Sequence, residues 1–80
     1  MNNQSGHQFV NISSEEYREY TFVTEKGIPF KIRINEPTNL SVSASGGHRL
    51  LDAEGISHYI PSGWVQLSWK AKAGQPNFVA

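Results

Sequence analysis

From Ile28 to Ile34 the chain alternates with a period of two. Ile28, Phe30, Ile32 and Ile34 fall on one side, and Pro29, Lys31 and Arg33 on the other. That pattern describes a strand with one face in the core and a basic face in water. It excludes a helix at this point, because helical apolar residues recur every three or four positions. Pro29 lacks an N–H for a ladder, which assigns it to the start of the strand or to an open side.

The same period recurs along the chain. Tyr20 and Phe22 share one face, with Thr21 and Val23 on the other, and Glu25-Lys26-Gly27 supplies a turn. Leu40, Val42 and Ala44 alternate with Ser41, Ser43 and Ser45 until Gly46-Gly47 breaks the run. His48 to Leu51 and Ile56 to Ile60 flank Asp52-Ala53-Glu54-Gly55, which has the form of a hairpin loop. After Pro61-Ser62-Gly63, Val65, Leu67, Trp69 and Ala71 oppose Gln66, Ser68, Lys70 and Lys72. The segments between the runs are shorter than the dozen or so residues a parallel crossover needs. The chain is therefore expected to be all-β, a small antiparallel barrel or roll of five to six short strands. The expected core is Tyr20, Phe22, Ile28, Phe30, Ile32, Ile34, Leu40, Val42, Leu50, Ile56, Ile60, Val65, Leu67 and Trp69.

The rest of the chain is less regular. Phe9, Val10 and Ile12 suit an edge strand anchored by Phe9. Ser13-Ser14-Glu15-Glu16 has the form of a capping box, which allows at most one helical turn near 13–18. Asn35 to Asn39 reads as a loop. Residues 1–8 and 74–80 are expected to be loosely ordered parts of a single domain spanning 1–80.

Composition narrows the function. A chain of 80 residues buries only about 60% of its unfolded surface. With no cysteine it has neither disulfides nor cysteine-ligated zinc to compensate. Seven Lys and Arg balance seven Asp and Glu, which argues against a general electrostatic grip on nucleic acid or an anionic membrane. No apolar run approaches the roughly 20 residues that span a bilayer. Met1 to Gly6 is polar, with no basic stretch leading into an apolar segment, so a cytoplasmic location is expected.

Catalytic and metal chemistry find little support. His48, Asp52, Glu54 and His58 cluster around one hairpin, but His-x9-His matches no structural zinc spacing. Of the carboxylates Glu15, Glu16, Glu19, Glu25, Glu36, Asp52 and Glu54, the last two flank a turn tip, which offers neither the burial nor the like-charged neighbour that would retune a carboxylate for acid–base work. Gly46-Gly47 lacks the lysine and the helix of a phosphate loop and reads as a turn. No enzyme activity, cofactor or metal is expected.

Two binding surfaces remain. Tyr59, Trp64 and Arg49 are of residue types enriched at interface hot spots, and Tyr59 and Trp64 fall opposite the apolar positions of their segments. If exposed, they form an aromatic and basic patch of an accessory or inhibitory module that docks on another protein. Alternatively, Trp64 plugs an open barrel end. The second surface is Lys31, Arg33, Lys70 and Lys72, which would make a basic nucleic-acid-binding sheet face if their strands are neighbours. An open strand edge would also allow a homodimer.

Overall fold

The computed structural model describes residues 8–74. These form seven strands and no helix: β1 (Val10–Asn11), β2 (Glu15–Val23), β3 (Pro29–Asn35), β4 (Pro37–Val42), β5 (His48–Asp52), β6 (Ser57–Ile60) and β7 (Gln66–Ala71). They build a four-stranded sheet, β1-β4-β5-β6, and a three-stranded sheet, β3-β2-β7. Every pairing is antiparallel. The expected all-β antiparallel class is what the chain adopts, with the strands in two sheets rather than a closed barrel.

The chain changes sheets at a single-residue corner. Glu36 separates β3 from β4 and holds φ at 51°, a left-handed value uncommon for a non-glycine residue. Both its backbone groups are anchored: its N–H donates to Glu16 O at 3.0 Å and its carbonyl accepts from Ala53 N at 2.9 Å. The expected loop over Asn35 to Asn39 is therefore mostly strand. Pro29 opens β3, an edge strand, in keeping with its missing donor.

No helical turn forms near 13–18. Ser13 and Ser14 make a turn and β2 begins at Glu15. The capping pattern of Ser13 and Glu16 fails because the neighbouring Glu15 is drawn into the core and the chain extends, leaving Glu16 3.4 Å from Lys70 across the sheet. The register of β2 against β7 slips between Glu15 and Tyr17, inserting one extra residue. In a regular strand, positions three apart face opposite sides. The bulge puts Glu15 and Arg18 on the same side. Arg18 Nε donates to Glu15 Oε1 at 2.9 Å and an η-nitrogen to Oε2 at 2.6 Å, a bidentate pair with both side chains 0% exposed.

The core consists of Ile12, Tyr20, Ile34, Leu40, Leu50 and Ile60, with Phe22, Ile32, Trp64 and Leu67 packed against it. Among the expected core residues, Ile28, Phe30, Val42, Ile56 and Val65 are exposed. Alternation identifies their side of the strand, but they stand near strand ends that the opposing sheet does not cover. The N-terminal anchor is also different. Ile12 is buried and donates its N–H to Thr38 O at 2.9 Å, whereas Phe9 stands on the surface. The expected loose ends lie outside the described residues, apart from Gln8 and Gly74.

Candidate binding surface

A groove of about 530 Å3 lies on the outer face of the four-stranded sheet, lined by Phe9, Asn39, Arg49, Leu51, Ser57 and Tyr59, with Leu50 and His58 below. Strand register explains why these residues meet. Arg49 pairs with Tyr59, and Leu51 pairs with Ser57 on one side and Asn39 on the other. Phe9 lies just ahead of the Val10–Leu40 pair and so forms the far wall.

Tyr59 is held from several directions. Its hydroxyl lies 3.4 Å from Ser43 Oγ and 3.2 Å from Ser45 Oγ. The Arg49 guanidinium sits over its ring at 5.3 Å from the centroid. The Ser43 and Ser45 hydrogen bonds, and secondarily the Arg49 charge, hold the phenol below its ordinary pKa. Beneath it Gly47 leaves no space: a Cβ there would meet Tyr59 Oη and lie 2.7 Å from Tyr59 Cζ and 2.9 Å from Ile60 O. The glycine expected as a simple turn is thus the seat of the aromatic ring. Tyr59 nevertheless remains 47% exposed.

Arg49 differs from the other arginines. Arg18 pairs with Glu15 and Arg33 with Glu19, but among the described residues Arg49 has no carboxylate within 4.0 Å. Its strand partner Ser41 is almost fully buried, and among the described residues the Ser41 Oγ has no hydrogen-bond partner.

Trp64 is not part of this surface. It lies on the core side of the four-stranded sheet, 5.0 Å from the Tyr20 ring and 4.7 Å from the His48 ring, centroid to centroid. Its ring packs against the core, although the two sheets leave no barrel end for it to plug. Trp64 therefore does not join Tyr59 and Arg49 in one exposed patch.

The two hairpin histidines are not opposite each other. His48 pairs with Ile60, and His58 with Leu50. His48 is buried, with Nδ1 2.6 Å from Tyr20 Oη, while His58 Nε2 lies 2.8 Å from Asp52 Oδ2. Asp52 Oδ1 accepts from Glu54 N at 2.9 Å and Ile56 N at 3.0 Å, closing the loop. The His58 contact, followed by these backbone N–H groups, lowers the Asp52 pKa. No cluster of three His, Asp or Glu side chains suited to a metal ion occurs among the described residues.

The basic residues do converge. Lys31 and Arg33 on β3 and Lys70 on β7 share the outer face of the three-stranded sheet, and Lys72 follows on the same side. Carboxylates interleave with all four. Glu19 lies 3.5 Å from Lys31 and 3.0 Å from Arg33, Glu16 lies 3.4 Å from Lys70, and Glu36 lies 3.2 Å from Lys72. The Arg33 hydrogen bond is the main cause that lowers the Glu19 pKa. Tyr17, an aromatic on this face that the sequence pattern did not single out, is covered by Arg33 at 3.9 Å.

Phe9 and Leu51 are the groove residues that alternation alone misses. Only the strand order brings them beside Tyr59, because β1 pairs with β4 across a long stretch of sequence. No family model, curated protein or solved structure matches the chain. No helix among the described residues is long and apolar enough to cross a membrane.

Proposed function

We propose that this protein is a non-catalytic interaction module, accessory or inhibitory, that docks on another protein through the outer face of the four-stranded sheet. The observation that carries the reading is the pairing of a fixed, exposed Tyr59 with an Arg49 that has no carboxylate partner among the described residues, beside an apolar groove. A rigid aromatic loses little conformational freedom on binding, and such residues dominate interface energetics. The partner segment that fits is apolar with a carboxylate: a side chain of Leu or Phe size between Phe9 and Tyr59, and an acidic group on Arg49.

The basic face of the three-stranded sheet is a weaker candidate, because its cations already face Glu16, Glu19 and Glu36. Both surfaces are tested with the immobilised protein and nuclease-treated lysate of its source. Tyr59→Ala and Arg49→Ala are expected to lose a protein that the wild type retains, by about 30-fold, the equivalent of a 2 kcal/mol hot spot. The quadruple Gln variant of Lys31, Arg33, Lys70 and Lys72 is expected to retain it. Loss in the quadruple variant alone, or loss on nuclease treatment, contradicts the reading and favours nucleic acid.

A further inference from the structure

The inner face of the three-stranded sheet is longer than the sheet that covers it. Two full cross-strand rows lie on that face, Ile34, Arg18 and Trp69, and Ile32, Tyr20 and Leu67, followed by the pair Phe30 and Phe22. Phe22 still packs against the core. Phe30 is 47% exposed, and Val65, just before the first residue of β7, is 65% exposed. Ile28, on the same side by alternation, is 58% exposed. Phe22 and Phe30 stack with ring centroids 5.6 Å apart and 17° between planes, so Phe30 is braced on a partly buried ring.

We infer that the exposed apolar residues Ile28, Phe30 and Val65 at this end of the sheet form the contact between two copies of the chain, related by a two-fold axis. Three features select a second copy over another partner. First, the patch itself is uncharged, a core face without a cover, and two such faces satisfy each other. Second, the hairpin tip beside it carries Glu25 and Lys26, neither of which has an ionic partner among the described residues. A two-fold axis repeats every contact, so each Glu25 can meet the Lys26 of the other copy, a self-complementary rim. Third, equal numbers of acidic and basic residues leave no net charge to hold copies apart.

The contact is small. Exposed apolar area of a few residues falls below the roughly 800 Å2 per partner of a standard interface. The dimer is therefore weak and concentration-dependent. It uses the opposite sheet from the Tyr59 groove, so both surfaces can be occupied together.

Sedimentation equilibrium across a concentration series tests this. The wild-type mass is expected to rise from 8.9 kDa towards twice that value. Phe30→Glu and Val65→Lys are expected to raise the dissociation constant at least about 30-fold, and their melting curves report whether the monomer remains folded. Lys26→Glu is expected to weaken the dimer, and the swapped pair Glu25→Lys with Lys26→Glu to restore it. Tyr59→Ala is expected to leave it unchanged. A wild type that remains at 8.9 kDa up to about 1 mM, or a dimer indifferent to folded Phe30→Glu and Val65→Lys, overturns the inference.

Discussion

Tyr20 Oη lies 2.6 Å from His48 Nδ1, joining β2 of one sheet to β5 of the other inside the core. Burial first, and the Arg18 charge second, favour the neutral imidazole at His48, whose Nδ1 can then accept the Tyr20 O–H. The Glu15–Arg18 pair and the Tyr20–His48 link are both buried on the core side, and Trp64 packs against the Tyr20 and His48 rings. The Tyr20–His48 link is enclosed, which makes it a clasp between sheets rather than a site for substrate.

This clasp makes stability depend on pH. Burial first, and the Arg18 charge second, lower the His48 pKa from 6.5. The unfolded chain therefore binds a proton more readily than the folded one. Stability is full above about pH 6.5 and declines as pH falls from there to the folded pKa, below which His48 adds no further loss. Thermal melts are expected to shift down as pH falls from 7.5 to 5.5, and NMR of the folded protein is expected to show the His48 imidazole titrating below its ordinary value. An unchanged midpoint across that range contradicts the assignment.

The Glu15–Arg18 pair is the second test. Removing one partner leaves a buried charge alone, at a cost of about 3–5 kcal/mol. A domain this small has a net stability of similar size. Glu15→Gln or Arg18→Met is thus expected to unfold most of the population in a urea titration. Glu15→Leu with Arg18→Met, which replaces both charges by apolar groups, is expected to recover much of the loss. A single variant with a wild-type midpoint would show that the pair is solvated.

The Ser41 hydroxyl gives a prediction of opposite sign. Among the described residues its buried Oγ has no hydrogen-bond partner, and such a group carries a desolvation penalty of about 1–3 kcal/mol. Ser41→Ala removes one small atom and that penalty together. The urea midpoint is expected to stay level or rise. A clear fall would mean that the hydroxyl has a partner in solution.

Period-two patterning makes the strands and their faces legible, and Ile28 to Ile34 shows both its reach and its limit. Ile34 is buried and Ile28 is exposed, although the two are equivalent in the pattern. What separates them is where the opposing sheet ends, which depends on pairings such as Val10 with Leu40 and His48 with Ile60. The buried Glu15 and Arg18 were hidden for a related reason: a bulge shifts the parity on which the reading depends. In the candidate site, Tyr59 and Arg49 were visible as odd-parity neighbours of apolar positions. Trp64 shared that signature, but Gly63, with φ of 118°, turns the chain just before it, and the ring packs into the core.

Gly47→Ala probes the groove without altering any of its lining side chains. The new Cβ would lie 2.9 Å from the Ile60 carbonyl and collide with the Tyr59 phenol, so the ring must leave its seat. Partner capture is expected to fall as far as in Tyr59→Ala, while a folded core persists in far-ultraviolet circular dichroism. Retained capture would show that Tyr59 need not be fixed to bind.

The docking surface is tested most directly by amide hydrogen exchange on the captured complex. Binding through the groove should slow exchange in Arg49 to Leu51 and Ser57 to Tyr59, and leave Lys31 to Arg33 and Gln66 to Ala71 as in the free protein. Protection confined to the β3 and β7 segments, with the groove unchanged, would contradict the assignment of the Tyr59 and Arg49 face as the site where this protein meets its partner.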